Sequence, residues 1–349
     1  MKSFINWGNG REKDFGLLLP MMPEEIERLV VPFLGNGDVL LNVKAKAYVA
    51  SDKCDELVEL WRFVSRPQPL LTDMLSTIMD GWESIPQLCK PLEDRMFEVY
   101  DSVALGALND HLSLVSSVGR ITQDLTVPER IPLTLKGWRT EEMQMELRYR
   151  WVKAIEAGKH LGMNNDTKFK KRMLTAVQNA YYEYLVYLYN NQQVKKQAQT
   201  AILLWTLSIS RGHSFIKDDC KWYTPVFAGT DADGLAYRTT MQTFLNDEFY
   251  ARMKFTQLFK KDALTLLNCE QPGPRDFIFA DPPCIVGTRK KRGRIFTRES
   301  QQKLADFLLN LTLARWMAIL PQEDPVIEEY LAKDVHSMVM GDEVVIWNY

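Results

Sequence analysis

Asp281-Pro282-Pro283-Cys284 closes the apolar run Asp276-Phe277-Ile278-Phe279-Ala280. A short apolar run bounded by turn formers reads as a buried strand, which puts the acid at a strand's carboxyl end. Two prolines fix φ there, so the Pro282 carbonyl points one way. A carboxylate beside a fixed carbonyl is a rigid acceptor for the N–H groups of an amine. A second group of residues lies far upstream. Pro32-Phe33-Leu34-Gly35-Asn36-Gly37 follows the apolar Leu29-Val30-Val31. A glycine turn after a strand lets backbone N–H groups approach a ligand closely. Gly35-x-Gly37 alone is a weak signal. Asp52 strengthens it, because an acid ending the next strand can accept both hydroxyls of a ribose. The plainer reading of Asp52 is a solvated strand-end carboxylate.

Just beyond the tetrapeptide, Arg289-Lys290-Lys291-Arg292-Gly293-Arg294 places five cations in six residues. Beside a base-sized pocket such a run suits phosphate contacts, with Arg289, Lys290, Lys291, Arg292 and Arg294 as the contacting residues. Elsewhere it would read as a solvated loop. Lys168-Phe169-Lys170-Lys171-Arg172 and Lys195-Lys196 are further basic clusters, which either track a nucleic-acid backbone or solubilise helices.

The elements that must position these groups lie at the two ends of the chain. Leu29–Val31 and Ala47–Ser51 read as strands, Asp38–Val43 as the start of a helix and Asp55–Phe63 as a helix with apolar spacing. Downstream, Asp276–Ala280 is a third expected strand. Thr297 is an expected N-cap, with Glu299 in the first turn of a helix through Leu311. Trp316–Leu320 is a fourth strand and Val326–Ala332 a short helix. Val335–Met340 and Val344–Trp347 flank a tight turn at Gly341-Asp342. Between about Pro67 and Arg211 the strand patterns vanish. Thr140–Gly158 and Lys168–Ser208 read as long helices. The second carries Tyr181, Tyr182, Tyr184, Tyr187 and Tyr189, a stripe that reads first as helical core and second as a base-stacking surface. The expectation is an α/β domain at 1–65 and 212–349, interrupted by an inserted, mainly helical domain at 66–211.

At 349 residues, with 46% hydrophobic residues and a net charge of −2, nothing global advertises a polyanionic partner, so any such surface must be local. Five cysteines, Cys54, Cys89, Cys220, Cys269 and Cys284, show no metal spacing. They read as reduced thiols of a cytoplasmic protein, with no metal expected. The first residues show no signal-peptide core.

Taken together, the motifs resemble Dam-type DNA adenine methyltransferases. Asn6-Trp7-Gly8-Asn9-Gly10-Arg11-Glu12-Lys13 is similar to that family's Trp-Ala-Gly-Gly-Lys segment, with Arg11 where Lys is usual and Asn9 where a glycine is usual. Asp52-Lys53-Cys54-Asp55-Glu56-Leu57 is similar to its Asp-Ile-Asn-x-Asp-Leu. The stretch from Arg211 to Gly229 resembles a further family segment, with Ser210 in place of an Asn. Phe296-Thr297 with Gln301, Gln302 and Leu304 resembles the segment that follows the tetrapeptide. The resemblance covers about 4–65 and 200–349. It implies a Rossmann-like methyltransferase sheet with a C-terminal antiparallel hairpin, and the helical insert as target-recognition domain. It implies S-adenosylmethionine as cofactor, held by Trp7, Arg11, Phe33, Gly35, Gly37, Asp52, Asp262 and Asp281. The partner would be double-stranded DNA with a flipped adenine, and the catalytic residues Asp281, Pro282, Pro283 and Cys284.

Acceptance of both amine N–H groups by Asp281 and the Pro282 carbonyl would localise the nitrogen lone pair for in-line transfer. Cys284 stands where the family usually has a Tyr that stacks on the base, an interaction worth roughly 1–3 kcal/mol. Phe296 and Trp222 are the aromatic candidates to replace it. Two other readings stay open: a degenerate methyltransferase fold acting as a DNA- or protein-binding module, and methylation of RNA or a free nucleobase.

Overall fold

The computed structural model describes residues 3–5, 7, 10–123, 141–160, 166–191, 194–210, 223, 227, 246–283 and 296–349. The chain forms two compact units, Met1–Gln68 with Met241–Tyr349, and Pro69–Thr240.

The first unit is built on seven strands: β1 (Arg28–Val31), β2 (Ala47–Ser51), β3 (Thr256–Phe259), β4 (Asp276–Ala280), β5 (Arg315–Pro321), β6 (His336–Met340) and β7 (Glu343–Trp347). They lie in the order β3-β2-β1-β4-β5-β7-β6. β1 to β5 are parallel; β7 runs antiparallel between β5 and β6. This mixed α/β sheet is compatible with a Rossmann-like fold. Strands buried on both faces read as continuous apolar runs, and all five residues of β4 are buried. Val30, Val49, Ile278, Ala280, Trp316 and Ala318 join Leu304, Leu308 and Tyr330 from helices in one core. At Gly341 φ is +65°, which the turn between β6 and β7 requires and glycine supplies without strain.

Strand order decides where a ligand can go. From β1 the chain proceeds outward to β2 and β3, whereas β4 and β5 lie on the other side of β1. Connections leaving β1 and β4 therefore diverge, and the carboxyl ends of these strands form the switch point at which open α/β sheets bind their ligands. Helices α1 (Phe15–Leu18), α2 (Asp38–Asn42) and α3 (Asp55–Val64) belong to this unit.

The second unit contains α4 (Pro69–Cys89), α5 (Glu93–Ala104), α6 (His111–Gln123), α7 (Glu141–His160), α8 (Asp166–Asn190) and α9 (Lys196–Ile209). α7 packs on α8, and α4 on α9. Tyr181, Tyr182 and Tyr184 of α8 are buried. The Tyr181 hydroxyl donates to the Ile78 carbonyl at 2.8 Å. Burial raises the Tyr181 pKa above its usual value. These three rings are core, as the plainer reading expects.

Three expectations need correction. β3 precedes Asp276–Ala280, which is the fourth strand rather than the third. The pattern over Lys168–Ser208 is two helices, α8 and α9, instead of one. The helix capped by Thr297, α12 (Arg298–Leu309), ends before Leu311; α10 (Asp247–Met253) and α11 (Ala263–Glu270) precede it in the chain. The Thr297 side chain accepts from the Ser300 N–H at 3.1 Å, so the expected cap is present. Among the described residues, no helix is long and apolar enough to cross a membrane.

Candidate active site

The glycine turn is shaped by what packs beneath it. Gly35 and Gly37 have φ of +49° and +71°, conformations that L side chains rarely adopt. The two differ in surroundings. A Cβ at Gly37 would lie 2.1 Å from Trp61 Cζ2, while one at Gly35 would meet nothing within 4 Å. Trp61 comes from α3 and is fully buried. Gly37 thus lets the turn sit down on Trp61, and Gly35 leaves its outer side open.

Asp52 follows β2, next to this turn. Its carboxylate accepts the Cys54 N–H at 2.9 Å and the Gly35 N–H at 3.3 Å. Burial pushes its pKa above the usual carboxylate value, against these backbone hydrogen bonds, which pull it down. A partly buried carboxylate held by backbone donors retains lone pairs for further donors. Phe33 packs edge-to-face on Phe296, ring centroids 5.4 Å apart, tying the turn to the segment that leads into α12.

The N-terminal segment lies against the same turn. The Trp7 N–H donates to Asn36 Oδ1, and the Ser3 hydroxyl to the Asn36 carbonyl at 2.5 Å. The Arg11 N–H donates to Asp38 Oδ2 at 2.8 Å. A Cβ at Gly10 would lie 2.7 Å from that oxygen and 2.8 Å from Asn36 Nδ2, so the close approach requires glycine. Asp38 is buried, and burial raises its pKa.

Asp281 follows β4, the parallel neighbour of β1. Both of its oxygens are engaged by one guanidinium: Arg11 Nε to Oδ2 at 2.8 Å and NH2 to Oδ1 at 2.6 Å. The same guanidinium donates to Glu343, through NH2 to Oε1 at 2.9 Å and through NH1 to Oε2. Burial opposes the Arg11 charge, but the hydrogen bonds and charge of Asp281 and Glu343 outweigh it and raise its pKa. Pro282 is buried and Pro283 exposed.

Asp262 follows β3 and caps α11. It accepts the Thr265 N–H at 3.0 Å and the Thr265 hydroxyl at 2.6 Å. Burial raises its pKa, but these bonds prevail and leave it below the ordinary value.

Trp7, Arg11, Phe33, Gly35, Gly37, Asp52, Asp262, Asp281, Pro282 and Pro283 therefore all belong to the first unit, and Asp52, Asp262 and Asp281 each follow a parallel strand. Cys284, Trp222 and the basic run Arg289–Arg294 lie outside the described residues. Of the stretch from Ser210 to Gly229, only Ser210, Tyr223 and Phe227 are described, all of them buried in the helical unit. Sequence reasoning missed Asn36, Asp38 and Glu343. Asn36 and Asp38 flank Gly37, and that spacing was the available signal. Glu343 had none beyond its place after a hairpin turn. Among the described residues, no group of three or more His, Cys, Asp or Glu is placed to hold a metal ion.

The fold and this edge define an α/β protein whose strand order reverses at β1, with a glycine turn and carboxylates following the strands there. No family model matches the chain. Over 83 residues it is 32% identical to the modification methylase StsI of Streptococcus sanguinis, a match covering 24% of this chain and 13% of that protein. The chain thus spans a small part of the curated relative it matches.

Proposed function

We propose that the protein is a DNA methyltransferase that transfers a methyl group from S-adenosylmethionine to the exocyclic N6 amine of adenine. The observation that carries this reading is that the glycine turn and Asp281 follow adjacent parallel strands at the switch point of the sheet, joined through Arg11. The partial likeness to a modification methylase supports it.

The residues present fit the cofactor. Gly35 is open on its outer side, and Asp52 is a partly buried acceptor with backbone partners and, among the described residues, no salt bridge. Asp52 would take the ribose hydroxyls, and Trp7 and Phe33 would line the adenosine, with Asp262 toward its far end. S-adenosylmethionine, when bound, supplies an electrophilic sulfonium methyl. Asp281 and the Pro282 carbonyl would accept the two N–H groups of the target amine and aim its lone pair. The target base must leave the duplex stack to reach them. Arg289–Arg294 would contact phosphates, and the helical unit would recognise the target site.

A second reading, a binding module without catalysis, is favoured by one observation: both Asp281 oxygens are already engaged by Arg11. Two measurements separate the readings. S-adenosylmethionine should raise the melting temperature, and tritium from its methyl should enter mixed-sequence DNA. A protein that shifts DNA in gels without the cofactor and incorporates no label would be the module. Cys284→Tyr should raise incorporation by about one to two decades, the equivalent of roughly 1–3 kcal/mol of stacking.

A further inference from the structure

Arg11 has five N–H donors, and each has a carboxylate. Nε and one NH2 hydrogen go to Asp281, at 2.8 and 2.6 Å. The other NH2 hydrogen goes to Glu343 at 2.9 Å, NH1 also reaches Glu343, and NH1 reaches Asp14 at 3.4 Å. The guanidinium is planar and its fork is rigid. A carboxylate gripped along one edge therefore dictates the plane presented to the carboxylate on the other edge. Glu343 is the better anchored of the two. It opens β7 and sits in register with Pro321 of β5 and Met340 of β6, so strands flank its backbone on both sides. Asp281 lies just beyond the end of β4, followed by two prolines.

We propose that Glu343 is a positioning residue: by holding the far edge of Arg11, it fixes the plane of the Asp281 carboxylate. An ionised carboxylate offers about four lone-pair sites. Arg11 takes one on each oxygen, so one on each remains, and the guanidinium plane sets its direction. Two carboxylates sharing one cation also leave the trio net negative, which suits an acceptor. The inference rests on the reading of Asp281 as the amine acceptor, and it gives Arg11 a role toward that acceptor rather than toward the cofactor.

The test uses the full chain with Glu343→Gln and Glu343→Asp, each alone and with Arg11→Ala. In an enzyme that transfers methyl, Glu343→Gln should lower kcat by about 10–100-fold, the usual loss when an orienting partner is removed. KM for S-adenosylmethionine should be unchanged, and Glu343→Asp should recover part of the loss. In the Arg11→Ala background Glu343→Gln should have no further effect. Full activity in Glu343→Gln, or an equal loss without Arg11, would overturn the inference.

A denaturation cycle stands apart from activity. Asp281→Asn and Glu343→Gln should be non-additive with Arg11 present and additive in Arg11→Ala. If the wild-type protein transfers no methyl, the functional reading fails, and this cycle alone decides the linkage: coupling upholds it, additivity with Arg11 present overturns it.

Discussion

Asp52 and Asp281 follow β2 and β4, the two strands that flank β1, and they are held in opposite ways. Asp52 is partly buried, and backbone N–H groups are its partners; desolvation raises its pKa. Asp281 is gripped through both oxygens by a guanidinium that it shares with Glu343. Strand order alone places both acids along one edge, so position does not distinguish them; their partners do. A carboxylate surrounded by backbone donors suits neutral hydroxyls. One locked by a planar cation has a defined direction, which suits aiming a nitrogen lone pair. In the proposed reaction, Asp52 serves binding and Asp281 serves the transfer step.

The largest expected effect breaks this comparison if it fails. Asp281→Ala should lower methyl incorporation by about 10²–10³-fold, on the scale of removing one stabilising hydrogen-bonding group from a reacting centre. S-adenosylmethionine should still raise the melting temperature of the variant. Loss of that shift would mean that Asp281 serves binding after all, and the distinction between the two acids would fall.

The glycine turn allows a second cut. Gly37→Ala combines strain at positive φ, of about 1–2 kcal/mol, with overpacking against Trp61 of about 1–3 kcal/mol. Chemical denaturation should show a loss of about 2–5 kcal/mol. Gly35→Ala meets the strain alone, so it should cost about 1–2 kcal/mol and weaken the cofactor-induced shift. Equal destabilisation by both would mean that Trp61 yields, and the turn does not rest on it as the geometry indicates.

Asp52 should show the reverse of Asp281. Asp52→Asn should weaken cofactor binding about ten- to a hundredfold, since hydrogen bonds to a charged group are worth about 1.5–3 kcal/mol. The same variant should be more stable than wild type at neutral pH. Folding raises the Asp52 pKa above its ordinary 3.8, so the folded state holds the proton more readily than the unfolded state. The resulting stability is present below pH 3.8 and is lost as pH rises through the raised value. Removing the charge should abolish that loss, raising the melting temperature by about 2–4 °C for each kcal/mol relieved. Denaturation curves for the two proteins across this range should converge at low pH.

What the sequence made legible follows from the kind of signal each element leaves. β1, β2, β4 and β5 are apolar runs because they are buried on both faces, and the hairpin is marked by Gly341-Asp342. β3 was missed because it is a four-residue edge strand, Thr256-Gln257-Leu258-Phe259, with Gln257 exposed. The break between α8 and α9 escaped notice because Asn190-Asn191-Gln192-Gln193 contains neither Gly nor Pro. Asp281, Asp52 and the two glycines sit at strand ends, where a motif can be read locally. The grip of Arg11 on Asp281 and Glu343 joins three positions scattered through the chain. No periodicity records such a triad, and Glu343 after a tight turn looks like any solvated acid.

The smallest effect tests the helical unit against the edge of the sheet. Tyr181 is buried and donates to the Ile78 carbonyl at 2.8 Å, and a Cβ on Gly81 would lie 2.6 Å from its hydroxyl. Tyr181→Phe removes that hydrogen bond while keeping the ring, so it should cost about 0.5–1.5 kcal/mol in denaturation. Affinity for single-stranded DNA and the cofactor-induced shift should both stay at the wild-type value. A ring serving base stacking would behave differently, because phenylalanine stacks as well as tyrosine and stability would be untouched. A stability loss at constant affinity marks Tyr181 as core; constant stability would return the α8 aromatics to the binding surface.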